Sequence, residues 1–111
     1  MYRVYGIPNC NTVKKALTHL DEAGKKYEFI NFKKQAPTKD ELKIWKEAFG
    51  DWPVNKKGPT YRKIKEEFEA ATAAGKYKLL METTSAIKRP IVMKKDSVKT
   101  FGYSEDEFNK L

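Results

Sequence analysis

Residues 2–16 read YRVYGIPNCNTVKKA, and this stretch decides the fold of the chain. Its first five residues are β-prone and end at a glycine that a proline soon follows, so Tyr2–Gly6 is predicted to be a strand. A helix is predicted to begin at Cys10 or Asn11. The single cysteine of the chain therefore lies where a strand gives way to a helix.

The helix that follows is amphipathic. It ends at Gly24, a residue suited to the left-handed conformation of a helix C-terminus. A second strand is predicted over residues 27–32. A strand, a helix and a strand spaced this closely predict a βαβ unit, so the two strands should be parallel. The helical spacing is carried by Val13, Ala16, Leu17, Leu20 and Ala23.

A block of helices is predicted over about residues 38–84. Thr38 and Glu41 form a capping box that opens its first helix, and Gly50 ends it. A second helix is predicted to run from Thr60 to a break at Gly75, and a short third helix to follow. The apolar face of the first helix is predicted to consist of Leu42, Trp45 and Phe49.

The chain then returns to strands. Residues 90–93 and 98–101 are separated by a short polar turn, which predicts an antiparallel hairpin. Ser104 and Glu107 have the spacing of a second capping box and predict a terminal helix. This order predicts the α/β class: a thioredoxin-like fold with a mixed four-stranded sheet. We expect one domain over residues 1–111, with an inserted all-helical subdomain.

Composition limits the classes of function. The net charge is +8 and favours encounters with anions such as oxyanions, acidic protein patches or the carboxylates of small thiols. The basic runs lack the length and the interleaved aromatics of a nucleic-acid motif, so direct nucleic-acid binding is not expected. No apolar run is long enough to span a membrane. One cysteine cannot form an internal disulfide, and we expect a monomer in the cytoplasm.

The position of Cys10 predicts a reactive thiol rather than a packing residue. Unpaired N–H groups and the positive end of the helix dipole both favour the thiolate. Lys14 and Lys15 add positive charge within the next turn and a half. Asn9 and Asn11 flank the thiol and can cap the helix or hydrogen-bond a ligand, and capping is the role expected for Asn11.

Arg89 and Pro90 precede the third strand. In thioredoxin-like folds a proline at this point is commonly cis and lies beside the catalytic thiol, so Arg89 would be close to Cys10. Its planar guanidinium suits an oxyanion or a carboxylate; the alternative is a surface charge beside a strand. His19 is expected to be partly exposed and not catalytic. No metal is expected, because no cluster of His, Cys and acidic residues has ligand spacing.

Three segments resemble the arsenate reductase (ArsC)/Spx family. They are GIPNCNTVKKA at 6–16, RPIV at 89–92 and GYSEDE at 102–107, and the resemblance covers essentially the whole chain. It is greatest to the single-cysteine, YffB-like branch of the family. The resemblance implies a nucleophilic cysteine at Cys10, an anion-binding arginine at Arg89, and glutathione as a reductant from solution with no bound cofactor.

The chain departs from the family in two places. The arsenate reductases use further arginines, but residues 55–58 offer only lysine, best placed at Lys57, and no arginine lies near Gly102. A lysine cannot reproduce the bidentate fork of an arginine. Many Spx regulators carry a second cysteine at the position of Val13, so a disulfide switch within this chain is excluded.

Two functions follow as hypotheses. The first is a glutathione-dependent thiol reductase of the arsenate-reductase-like type, in which Cys10 attacks an oxidised sulfur or arsenate. An anionic group would be bound by Asn9, Asn11, Lys14, Lys57, Arg89 and Pro90. The second is an Spx-like transcriptional regulator that contacts RNA polymerase without catalysis.

Overall fold

The computed structural model describes residues 1–111, which form two compact units. The first unit comprises Met1–Gln35 and Arg89–Leu111, and the second comprises Ala36–Lys88. No helix in the chain combines the length and the apolar character that a membrane crossing needs.

The first unit contains a mixed four-stranded sheet, as predicted. Its strands are β1 (Tyr2–Gly6), β2 (Tyr27–Asn31), β3 (Ile91–Lys94) and β4 (Ser97–Phe101), and they are ordered β2-β1-β3-β4. β1 and β2 are parallel, whereas β3 is antiparallel to both β1 and β4. This βαβ–ββα arrangement is the thioredoxin-like fold that the order of elements predicts.

Two helices cover one face of this sheet. α1 (Asn11–Glu22) connects the parallel strands, and a short terminal helix, α5 (Glu105–Asn109), packs against it. Gly24 has a φ of 69° just beyond α1, as predicted for a helix end. Strand and helix residues together form the buried core, in which one cluster consists of Val4, Ala16, Leu20, Val92 and Phe108.

His19 joins these two helices. Its Nδ1 lies 3.0 Å from the hydroxyl of Tyr103, and its ring meets those of Tyr103 and Phe108 edge to face. The side chain is half-buried, so it has a structural partner on the side of α1 that α5 covers.

The second unit is helical. It contains α2 (Lys39–Phe49), α3 (Pro59–Ala70), α4 (Ala73–Glu82) and a 3₁₀ turn at Thr84–Ala86. The predicted capping box is present: Glu41 N–H donates to Thr38 Oγ1 at 3.1 Å, and Thr38 N–H donates to Glu41 Oε1 at 2.9 Å. Gly50 ends α2 at a φ of 84°.

Three predictions about helix boundaries and faces are wrong. The break between α3 and α4 falls at Ala71 and Thr72, not at Gly75, because the Thr72 hydroxyl accepts the N–H of Gly75 at 3.2 Å and caps a new helix. Ser104 precedes α5 but makes no side-chain capping bond, so the second capping box is absent. Phe49, the last residue of α2, is 38 % exposed, whereas Leu42 and Trp45 on the same face are buried.

Candidate active site around Cys10

Cys10 is held at the junction of β1 and α1 by backbone bonds. Its N–H donates to the carbonyl of Ile7 at 3.2 Å, and its own carbonyl accepts the N–H of Lys14 at 3.0 Å. Its extended φ and ψ of −89° and 124° make it the N-cap of α1. The predicted junction is therefore confirmed, and the sulfur lies at the N-terminal end of a helix.

Gly6 allows α1 to approach the end of β1 closely. A Cβ at this position would lie 2.9 Å from Cγ2 of Val13, which is nearer than real side chains approach. Val13 is fully buried and cannot move aside. The glycine therefore sets the position of the first turn of α1, and with it the N–H groups that face Cys10.

Arg89 reaches the same end of the sheet from β3. The Arg89–Pro90 peptide bond is cis, and β3 begins at the next residue, where Ile91 pairs with Tyr5 of β1. The carbonyl of Pro90 accepts the N–H of Gly102 at 2.8 Å. These pairings place the half-buried side chain of Arg89 beside Cys10.

The surroundings of the thiol favour its ionised form. Partial burial of the sulfur raises its pKa, but the backbone N–H groups of Val13 and Thr12 and the charge and hydrogen bonding of Arg89 outweigh burial. The N–H groups stabilise the thiolate without forming a regular capping bond. The pKa of Cys10 is thus below its usual value, which is the property expected of a nucleophilic cysteine.

The other predicted residues of this edge lie at the surface. Asn9 is an exposed turn residue, and Lys14 is exposed one turn into α1. Asn11 does not cap the helix as predicted, because it is already the first helical residue and Cys10 occupies the cap position. Arg89, and not Lys14, is the cation whose charge lowers the pKa of Cys10.

Lys57 belongs to the helical unit. It lies in a turn before α3, where the N–H of Gly58 donates to the carbonyl of Asn55 at 3.0 Å. With Lys56 and Lys88 it lines a cavity of about 360 Å³, which Phe49 and Val54 also line. Lys88 was not predicted from the sequence, because only the fold brings it to this cavity.

The sequence also did not indicate that the backbone N–H groups of Thr12 and Val13 are the ones that face the sulfur. The sequence signal for them was the helix start, which indicates free N–H groups without saying which of them face the sulfur.

Comparisons with known proteins agree with this architecture. The sequence model of the ArsC family matches residues 5–111. YusI of Bacillus subtilis (strain 168) is 34% identical over 96% of this chain and 93% of its own length. The solved structure of a YffB protein is 32% identical, with a TM-score of 0.87 over 99% of this chain and 97% of that one. The global transcriptional regulator Spx of Staphylococcus saprophyticus is 26% identical over 99% of this chain and 86% of its own length.

Proposed function

Since the chain belongs to the ArsC family, we propose that it is a thiol–disulfide reductase in which Cys10 is the nucleophile and glutathione is the reductant. One observation carries the proposal: Cys10 lies at the N-terminal end of α1 beside Arg89, where the helix N–H groups and the guanidinium lower the pKa of the thiol. A thiol whose pKa is lowered is ionised to a greater extent at a given pH than a free cysteine, attacks sulfur as the thiolate, and is also a good leaving group when it is displaced.

The proposed reaction proceeds in two exchanges. The Cys10 thiolate attacks the glutathione sulfur of a mixed disulfide, the S–S bond breaks, and the electron pair leaves with the substrate sulfur, which takes a proton from water. A second glutathione thiolate then attacks the glutathione sulfur attached to Cys10. This step releases glutathione disulfide and restores the Cys10 thiolate. In total one disulfide bond replaces another: the substrate sulfur is reduced to a thiol, and the sulfur of the second glutathione is oxidised to the disulfide.

An external thiol is required in the second exchange because Cys10 is the only cysteine of the chain. Arg89 is proposed to bind a carboxylate of glutathione, since its guanidinium can donate two parallel hydrogen bonds. Asn9, Asn11 and Lys14 would form the surrounding surface, with the buried Pro90 beneath it.

Lys57 is proposed to bind an anionic group in the cavity that it shares with Lys56 and Lys88. Oxidised sulfur is proposed in preference to arsenate because lysine, a point charge, stands where arsenate reductases use an arginine fork.

The test is a glutathione-coupled assay with the mixed disulfide of glutathione and 2-mercaptoethanol as substrate. The wild-type protein should release glutathione disulfide, and Cys10→Ser should release none. Thr18→Ser, which changes an exposed residue later on α1, serves as the matched control and should retain the rate. Equal rates from wild type and Cys10→Ser would disprove the proposal.

A second candidate is an Spx-like regulator that binds RNA polymerase. The observation in its favour is the whole-length similarity to Spx. Capture of purified RNA polymerase by the immobilised chain, with Cys10→Ser binding equally well and no glutathione-linked turnover, would support this candidate over the reductase.

A further inference from the structure

The topology collects cations at the end of the sheet where Cys10 lies. β1 and β2 are parallel and in register from Tyr2 and Tyr27 to Gly6 and Asn31, so both strands end at the same edge. Cys10 follows the first strand, and Lys33 and Lys34 follow the second. We call the surface made by Lys14, Lys15, Lys33, Lys34 and Arg89 the basic edge.

The turn that carries Lys33 and Lys34 is well held. The N–H of Phe32 donates to the carbonyl of Gly6 at 2.9 Å, which extends the ladder beyond β2. The side chain of Asn31 accepts the N–H of Lys33 at 2.9 Å, and its carbonyl accepts that of Lys34 at 3.0 Å. The backbone at both lysines is therefore tied to the end of β1, while their side chains are exposed.

Acidic residues of the same unit lie away from the basic edge. Asp21 and Glu22 are at the far end of α1, and Asp96 is in the turn between β3 and β4 at the opposite end of the sheet. Glu28 is within β2. The acidic residues of α5 follow Tyr103, which is bonded to His19 in the second half of α1.

Lys33 and Lys34 take no part in the ion pairs that join Lys56 to Asp51 and Lys78 to Glu82. The charge of this unit is thus segregated, with positive charge around the thiol. A surface of one sign around a reaction centre concentrates ligands of the opposite sign and speeds their encounter.

We infer that the natural substrate is a protein mixed disulfide whose oxidised cysteine is flanked by acidic side chains, which bind the basic edge. This inference rests on the proposed function and names its substrate class. Glutathione is a tripeptide and would bind through the guanidinium of Arg89. Lys33 and Lys34, which follow β2, extend the positive surface beyond the area that one tripeptide covers. An acidic peptide that lies across the basic edge from Lys33 to Cys10 would contact both these lysines and Arg89.

Single-stranded nucleic acid fits this surface less well. Such strands bind to basic grooves that also present aromatic rings for base stacking. The exposed large apolar side chains of the chain are Met1 and Phe49, and neither belongs to the basic edge.

Binding is tested first, in the Cys10→Ser background, where no exchange occurs. The probe is a fluorescent peptide with glutamates on both sides of a cysteine joined to glutathione; a second peptide has glutamines instead. Lys33→Glu/Lys34→Glu should raise the Kd of the acidic peptide about tenfold. Lys25→Glu/Lys26→Glu is the matched control, because these exposed lysines precede β2 at the opposite end of the same strand, and it should change the Kd little.

The effect should also disappear at ~1 M salt, where the screening length is about 3 Å. Lys33→Gln/Lys34→Gln should give an intermediate Kd and provides a second variant if charge reversal perturbs folding. Equal Kd values for the two peptides, equal effects of the two lysine pairs, or tighter binding of a single-stranded oligonucleotide than of the acidic peptide would each overturn the inference.

Turnover separates this inference from the proposed function. With Cys10 present, kcat/KM for the acidic peptide should fall with Lys33→Glu/Lys34→Glu, while the rate on the small mixed disulfide of glutathione and 2-mercaptoethanol is retained. Retained selectivity for the acidic peptide in that variant would contradict the inference and leave the reductase proposal standing. No turnover of either substrate by the wild type would reject the reductase proposal. The binding measurement would still show whether acidic peptides dock on the basic edge.

Discussion

Arg89 lies beside the sulfur of Cys10, although the two residues are far apart in sequence, and its charge and hydrogen bonding lower the pKa of the thiol. The relationship depends on two strands. β1 delivers Cys10 to one edge of the sheet, and the antiparallel β3 begins there directly after Arg89 and Pro90. A pair of this kind combines a nucleophile with a group able to bind the anionic part of a substrate.

Cys10 should react with iodoacetamide as a thiolate at neutral pH. The alkylation rate, followed against pH, should rise with a midpoint below the usual cysteine pKa of about 8.5. Arg89→Gln should move this midpoint upward, because it removes a cation that stabilises the thiolate. A midpoint at or above about 8.5 in the wild type would contradict the account of the site.

The same shift has a consequence for stability. A thiol whose pKa is lower in the folded than in the unfolded state stabilises the fold above its unfolded pKa, and this contribution is lost as pH falls through its folded pKa. The free energy of unfolding of the wild type, relative to Cys10→Ser, should therefore increase between those two pH values. A difference that does not change with pH would show that the thiolate is not stabilised by folding.

Arg89→Lys should weaken the binding of glutathione even though the positive charge remains. Lysine provides a point charge that can keep one of the two parallel hydrogen bonds to a carboxylate, so the Kd should rise about tenfold, the factor for the loss of one charged hydrogen bond. Titration calorimetry measures this change. Arg62→Lys, on the exposed face of α3, is the control. An equal effect of both substitutions would mean that Arg89 acts only as a surface charge and does not bind glutathione directly.

Local signals in the sequence were sufficient for most of the fold. Thr38 and Glu41 predicted the start of α2, Gly50 its end and Gly24 the end of α1. These signals are local, because each residue acts on the backbone of the helix end beside it. Gly75 misled the prediction of α3 and α4, since the nearby Thr72 hydroxyl provides a cap that keeps the glycine inside a helix. Ser104 has the right type and spacing, but its hydroxyl does not make the bond.

The candidate site was less accessible to sequence reasoning. Cys10 was identified because its chemistry depends on a helix start that the sequence shows directly. The proximity of Arg89 depends on strand pairing at long range. The sequence also predicts the wrong cap, Asn11 in place of Cys10, because the two candidate helix starts differ by one residue. Lys88 emerged only with the cavity that it shares with Lys57.

Gly6→Ala should disturb both the fold and the thiol. The new methyl group would overlap Cγ2 of Val13, at 2.9 Å, and overpacking of a core contact costs about 1–3 kcal/mol. Urea unfolding should show this loss, together with a higher pKa of Cys10 as α1 is displaced. Gly75→Ala is the control: its Cβ would lie 3.2 Å from Cβ of Ala71, and the helix propensity gained, about 1 kcal/mol, offsets that contact.

Two helix starts offer a matched comparison. Thr38→Ala removes the hydroxyl that accepts the N–H of Glu41, leaves the backbone N–H that donates to Glu41 Oε1, and should cost about 1 kcal/mol of stability. Ser104→Ala, at a position with no side-chain cap, should cost less than about 0.5 kcal/mol. Denaturant midpoints measure the loss of stability in each variant. Equal losses would mean that the capping bond at Thr38 does not stabilise the protein.

The most direct test of the central claim is intact mass spectrometry of the protein during turnover of a glutathione mixed disulfide. The account predicts a single glutathione adduct, located on Cys10, that is removed by added glutathione as fast as substrate is reduced. Reduction of the substrate without such an adduct, or at the same rate by Cys10→Ser, would contradict it.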